Sequence, residues 1–130
     1  MKEKIELKEV FRVKPSVIYN AWLDSKEHSD MTGGEAVCSN KKNGAFSAWD
    51  KYISGTNKTL KINEEIVQNW RTTEFKNNDE DSELIIRLKE IKEGTELTLI
   101  HRNIPEGQTQ YRQGWIDHYL IPMKSYFEKR

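Results

Sequence analysis

The 130-residue sequence is poor in the features that define most common sites. Its single cysteine, Cys38, excludes an intramolecular disulfide, and no CxxC or Cys/His pair has the spacing of a zinc site. Residues 1–20 lack the apolar region of a signal peptide, and no stretch approaches the ~18 apolar residues of a membrane span. We therefore expect a soluble, cytoplasmic protein without a metal site and without integral membrane association.

An excess of charge of either sign is also missing. The chain carries 21 basic and 21 acidic side chains, and its longest basic run is Lys41-Lys42. Because phosphate binding needs a net or clustered positive field, we expect no nucleic-acid partner. The motifs GxGxxG, GxxxxGK(S/T), GxSxG and HExxH are absent. Common nucleotide, esterase and zinc-protease chemistries therefore have no support, and we expect no cofactor.

The first third of the chain contains a strand pattern followed by a helical pattern. Apolar and polar residues alternate over residues 4–13, which predicts a half-buried strand. Pro15 suits the first turn of a helix, and helical spacing continues in two short pieces to about Asp30. Gly33-Gly34 follows as a stop signal. A strand and a short helical pair are therefore expected here.

Short strands separated by turns are expected through the middle of the chain. Asn43-Gly44 is a hairpin-turn signal, and three aromatic residues predict a strand over residues 46–53. Residues 54–58 predict a turn, and the polar residues 76–82 predict a solvent-exposed loop. Further strands are expected at residues 59–63, 66–75, 84–89 and 97–100.

Residues 108–129 predict one long amphipathic helix. Its apolar side covers about half of the circumference and holds Tyr111, Trp115, Ile116, His118, Tyr119, Leu120, Pro122, Met123, Tyr126 and Phe127. Pro122 must remove one backbone hydrogen bond, so we expect a kink there rather than two helices. Because this broad side must be buried, we predict one α+β domain, residues 1–130. In it, a curved antiparallel sheet of six to seven strands wraps around the helix.

Short motifs follow one another in a fixed order along nearly the whole chain. They are Leu7-Lys8-Glu9-Val10-Phe11, Ile53-Ser54-Gly55, Trp70-Arg71, Thr95-Glu96-Leu97, Ile104-Pro105 and Arg112-Gln113-Gly114-Trp115. In this order and spacing they resemble the START-like (SRPBCC) superfamily, which has a helix-grip fold. Within it they resemble the C-terminal domain of activators of the heat-shock protein 90 ATPase.

The resemblance implies two kinds of function. Superfamily relatives bind apolar ligands between sheet and helix, which implies a non-enzymatic domain that binds a small hydrophobic molecule, lipid-like or aromatic. The alternative is a co-chaperone that binds heat-shock protein 90 and stimulates its ATPase, although in eukaryotic co-chaperones a separate N-terminal domain makes much of that contact. A third hypothesis is an enzyme, a cyclase or hydrolase, acting on a hydrophobic substrate. Fold alone does not decide among them.

Glu9 and His101 are the two candidates with acid–base chemistry. Glu9 falls on the apolar face of the first strand, where a carboxylate needs a cationic partner, and Arg71 or Arg102 are expected. It is either a polar anchor at the base of a pocket or part of a structural ion pair. His101 is a general acid/base if it faces a cavity, and otherwise makes a structural hydrogen bond. No nucleophile or paired base can be placed beside them, so we assign no catalytic residue.

Large aromatic side chains with polar tips are the other candidates, either as pocket walls or as plain core. Met123 is a flexible gap-filler in the same region. The candidate cavity-lining residues are Glu9, Phe11, Trp49, Trp70, His101, Trp115, Tyr119 and Met123. A helix face packed solid against the sheet would exclude the ligand-binding hypothesis.

Overall fold

The computed structural model describes residues 2–129. Its elements are β1 (Glu3–Phe11), α1 (Pro15–Leu23), α2 (Ser25–Thr32), β2 (Ala45–Ala48), β3 (Ile53–Lys61), β4 (Glu65–Thr72), β5 (Ser82–Ile91), β6 (Gly94–Ile104), α3 (Tyr111–Trp115), a π-helical turn (Ile116–Leu120) and α4 (Ile121–Glu128). All six strands form one curved antiparallel sheet in the order β1-β6-β5-β4-β3-β2. The α+β prediction is therefore confirmed. None of the helices in residues 2–129 is long and apolar enough to cross a membrane.

The short helical pair after β1 is built from strong local signals. Pro15 occupies the first turn of α1, where its missing N–H leaves no hydrogen bond unmade. Asp24 caps α2 by accepting a hydrogen bond from the backbone N–H of Glu27 at 2.9 Å. Gly33 ends α2 with a φ of 90°, a conformation that costs glycine little. These signals confirm the predicted pair.

The core lies between the sheet and the C-terminal helix. In the register of the sheet Ile66 pairs with Ile86, and Ile86 with Leu99, so the three side chains share one face. Each is fully buried in one cluster with Met123 and Phe127 of α4. Burial of such side chains stabilises the fold by about 1.5–3 kcal/mol each.

The prediction of one continuous aromatic strand over residues 46–53 is correct for residues 46–48 and wrong for residues 49–52. Strand β2 stops at Ala48, and residues 49–51 have φ values of 51°, 58° and 75°, which places a left-handed turn where strand was expected. The predicted turn at residues 54–58 lies instead inside β3. Gly55 allows this because a Cβ there would overlap the backbone of β4.

The C-terminal helix runs without a break over residues 111–128, but its middle is a π-helical turn. The N–H of Ile121 bonds to the carbonyl five residues earlier, that of Ile116. Pro122 follows directly, and proline has no N–H for the carbonyl of His118, four residues back. A wider turn therefore stands just before the proline.

Candidate ligand cavity

A cavity of about 300 Å³ lies between the first half of the C-terminal helix and the β3–β4 side of the sheet. Among the described residues, the lining contains no Asp, Glu, Lys or Arg and consists of Trp49, Tyr52, Ile53, Trp70, Tyr111, Gly114, Trp115, His118 and Tyr119. The second half of the helix packs tightly, since Met123 and Phe127 are at most 2% exposed. The interface between helix and sheet is therefore solid at one end and open at the other.

The structure divides the eight candidate residues into two groups. Four line the cavity: Trp49, Trp70, Trp115 and Tyr119. Four do not: Glu9, Phe11, His101 and Met123. Phe11 and Met123 belong to the solid end, where the ring of Phe11 meets that of Phe127 edge to face at 5.8 Å.

Glu9 has a different partner from those expected. Its carboxylate lies 3.6 Å from the ammonium nitrogen of Lys124 on α4, and its side chain is 36% exposed. That ammonium also donates to a backbone carbonyl of β1 at 2.8 Å. Arg71 and Arg102 each pair with another acidic residue, so the predicted partners are wrong. Glu9 thus tethers the helix to the sheet edge and lies away from the cavity.

His101 supports the cavity wall from behind. The indole N–H of Trp115 donates to His101 Nδ1 at 3.0 Å, so the ring proton sits on Nε2, which donates to Ser82 Oγ at 2.8 Å. The hydroxyl of Ser82 in turn donates a hydrogen bond to the backbone carbonyl of Trp70 at 2.6 Å. Burial lowers the pKa of His101 to about 3. Both nitrogens are engaged, so the ring is a neutral structural link without a free lone pair for catalysis.

A second buried histidine holds the next turn of the same helix. His28 Nδ1 lies 2.8 Å from the carbonyl of Trp22, so it carries the proton, and Nε2 accepts the hydroxyl proton of Tyr119 at 2.7 Å. Burial lowers the pKa of His28 and raises the pKa of Tyr119. Both groups are therefore neutral near pH 7.

The remaining tyrosines of the wall also turn their hydroxyls toward protein. Tyr111 donates to Gln108 Oε1 at 2.7 Å and lies 2.6 Å from the hydroxyl of Thr72. Tyr52 donates to the carboxylate of Glu74. Burial raises the pKa of both tyrosines. Their hydroxyls already have protein partners, and the rings form the wall.

Trp49 and His118 meet at the mouth of the cavity. Their ring centroids lie 5.2 Å apart in an edge-to-face arrangement, with Trp49 half-buried and His118 exposed. The indole of Trp49 rests against Gly34, where any Cβ would overlap it. Its indole N–H is shielded from solvent and has no hydrogen-bond partner among residues 2–129.

Several of the lining residues were not among the candidates from the sequence. Tyr111 and His118 belong to the apolar side of the predicted helix, so the helical period contained a signal for both. Ile53 and Gly114 fall within motifs that carry the family resemblance. Within the described part of the chain, no group of three His, Cys, Asp or Glu residues is placed to hold a metal ion.

The sequence is similar to a known protein family and to two curated relatives. Residues 12–128 match the family described as activator of Hsp90 ATPase homolog 1-like protein. An activator of 90 kDa heat shock protein ATPase homolog from Dictyostelium discoideum is 27% identical over 95% of this chain and 32% of its own length. The homolog 1 from Homo sapiens is 32% identical over 95% of this chain and 37% of its own length. The chain thus spans about a third of the length of these curated relatives.

Solved structures show the same architecture. The crystal structure of an Hsp90 activator from Plasmodium falciparum has a TM-score of 0.84 at 25% identity, covering 98% of this chain and 96% of that one. The solution structure of the Aha1 dimer from Colwellia psychrerythraea has a TM-score of 0.83 at 13% identity, covering 97% and 96%. At that lower identity the likeness concerns the fold alone.

Proposed function

The chain belongs to the activator of Hsp90 ATPase homolog 1-like protein family, and from this premise we propose that it is a domain that binds a small apolar molecule in the cavity beside its C-terminal helix. The resemblance found in the sequence is confirmed by that membership. Ligand binding itself is our inference, and the cavity of about 300 Å³ is the observation that carries it.

The size and lining of the cavity support this proposal. Its volume lies at the lower end of the range of small-molecule sites, about 300–1,000 Å³. An apolar molecule there would remove both its own surface and the ring surfaces of the wall from water. Three large apolar side chains are exposed in residues 2–129, and they lie in separate parts of the chain: Val37 before β2, Ile62 between β3 and β4, and Ile121 on α4. Single exposed apolar residues of this kind are ordinary on protein surfaces.

Native mass spectrometry before and after organic extraction tests the proposal. We expect a reproducible added mass that extraction removes, or one that returns when apolar compounds are supplied. In the variant Gly114→Leu the new side chain should fill the cavity, because the space around a Cβ at Gly114 is open. That variant should lose the added mass and remain folded, since leucine favours helix over glycine.

A matched control uses the preceding residue of the helix. Gln113 is exposed and does not line the cavity, so Gln113→Leu should keep the added mass. A wild-type protein that shows only its apo mass, also with a panel of fatty acids and aromatic compounds, would refute ligand binding.

A contact with heat-shock protein 90 is a second candidate function, favoured by the family and by relatives that are named as activators of that chaperone. Because those relatives are about three times as long as this chain, their activity comes to it only as a proposal. We expect the purified protein to raise the chaperone's ATPase rate. An unchanged rate at saturating protein would eliminate this candidate.

The enzymatic alternative has lost its two candidate residues. Glu9 pairs with Lys124 outside the cavity, and both nitrogens of His101 are engaged behind the wall. They do not converge on one substrate position, which general acid–base catalysis requires. We therefore propose a binding function and assign no catalytic role.

A further inference from the structure

We propose that the cavity selects a neutral, flat aromatic molecule over fatty acids and other carboxylates. The inference rests on the proposed ligand-binding function and specifies the chemical class of the ligand. It follows from two properties of the wall, which are the direction of its polar groups and the arrangement of its rings.

Three polar groups of the wall point outward and have protein partners, whereas the indole N–H of Trp49 is a neutral donor without a partner in residues 2–129. Tyr119 donates to His28, Trp115 donates to His101, and Tyr111 donates to Gln108. A ligand carboxylate inside would therefore meet aromatic faces and at most a neutral N–H donor, since no Lys or Arg of residues 2–129 lines the cavity. A buried charge without a partner is strongly disfavoured. The wall thus discriminates against anions.

The rings of the wall are arranged to receive another ring. The centroid of Trp115 lies 5.5 Å from that of Trp70 and 4.8 Å from that of Tyr119, at tilted angles. Tyr111 meets Trp70 edge to face at 5.2 Å. Aromatic pairs in such geometries gain free energy beyond their buried area. A flexible alkyl chain lacks this gain and also loses conformational freedom on binding.

Three probes of equal heavy-atom count separate these properties. 2-Acetylnaphthalene is neutral and flat, 2-naphthoate is its nearly isosteric anion, and 2-dodecanone is a neutral chain with the same carbonyl group. Dissociation constants are measured by calorimetry at about pH 8, where an ordinary imidazole carries no charge. We expect 2-acetylnaphthalene to bind at least about tenfold more tightly than either of the others, because of the desolvation and stacking effects above.

The indole N–H signals in nuclear magnetic resonance spectra locate the probe. Trp49, Trp70 and Trp115 line the cavity, whereas Trp22 does not, so the first three signals should shift more than the fourth. Larger shifts at Trp22 would place the probe elsewhere and overturn the assignment.

A new cation at the mouth should relax the discrimination. His118 is exposed at the rim, so His118→Lys places an ammonium group there with little risk to folding. We expect its affinity for 2-naphthoate to rise at least about fivefold while that for 2-acetylnaphthalene changes little, since only the anion gains a counter-charge. Ile121→Lys adds a lysine to the same helix at a position that is 60% exposed and outside the cavity, and should leave both affinities unchanged.

The outcomes separate this inference from the proposed function. Equal or tighter binding of 2-naphthoate or 2-dodecanone by the wild type would overturn the aromatic, neutral preference and leave ligand binding intact. A failure of all three probes to bind would overturn both. An equal gain for 2-naphthoate in His118→Lys and Ile121→Lys would show a general charge effect and refute the role of the cavity wall.

Discussion

Acidification should destabilise this protein through His101, whose ring is buried in its neutral form. Burial holds the pKa of His101 at about 3, against 6.5 for an ordinary imidazole. Between about pH 3 and pH 6.5, His101 is therefore protonated in the unfolded chain and neutral in the folded chain. The resulting contribution to stability is present in full above about pH 6.5 and is lost progressively as the pH falls from there toward about 3.

The magnitude follows from the separation of the two pKa values. Each pH unit below the unfolded pKa costs about 1.4 kcal/mol for one such group. At about pH 5 the loss from His101 is therefore ~2 kcal/mol relative to neutral pH. His28 acts in the same direction, because burial also lowers its pKa. For a small domain with ~5–15 kcal/mol of total stability this loss is easily measured.

Urea unfolding at a series of pH values, for the wild type and for His101→Gln, measures this contribution. The variant has no titratable ring at this position, so its stability should fall by ~2 kcal/mol less than that of the wild type between about pH 7.5 and pH 5. Imidazole nitrogen shifts of the wild type give an independent readout and should show a neutral Nε2–H ring down to about pH 4. A ring that titrates near pH 6, or parallel pH profiles for both proteins, would refute the reasoning.

Three further predictions concern single contacts. Tyr119→Phe should destabilise the fold by about 1–3 kcal/mol, because Nε2 of His28 loses its donor in a buried site; an unchanged urea midpoint would contradict this. Gly34→Ala should cost about 1–3 kcal/mol by displacing the indole of Trp49, and the fluorescence of that side chain should change with it. Lys124→Met should change the free energy of unfolding by less than about 1 kcal/mol, as expected of a half-exposed ion pair; a larger loss would reveal a stronger tether.

Local sequence signals predict the ends of the chain well and the middle less well. The β1 strand and the helical pair follow from alternation, from Pro15 and from Gly33, all of which act within a few residues. The turn at residues 49–51 does not follow from such signals, because its aromatic neighbours favour strand. Trp49 in this turn packs on Gly34 and His118, which are distant in sequence, so a local pattern does not reveal these contacts.

The candidate site, too, could be predicted from the sequence only in part. An amphipathic helix must bury its aromatic side, so Trp115 and Tyr119 could be identified from periodicity alone. The boundary between cavity and solid core could not, since it depends on how the volumes of facing side chains add up. Likewise the sequence does not reveal that Glu9 reaches Lys124 rather than an arginine, because that pairing depends on where the helix crosses the sheet edge.

The π-helical turn rotates the side-chain directions of α4 relative to those of α3 about the helix axis. Each helical residue advances the side-chain direction by ~100°, and the extra residue in Ile116–Leu120 offsets α3 from α4 by about that angle. The offset lets Trp115 face the cavity while Phe127 fills the solid core. Deleting one residue within Ile116–Leu120 would keep the helix helical but swing one half out of alignment. The site therefore depends on the length of this turn as well as on the chemistry of its side chains.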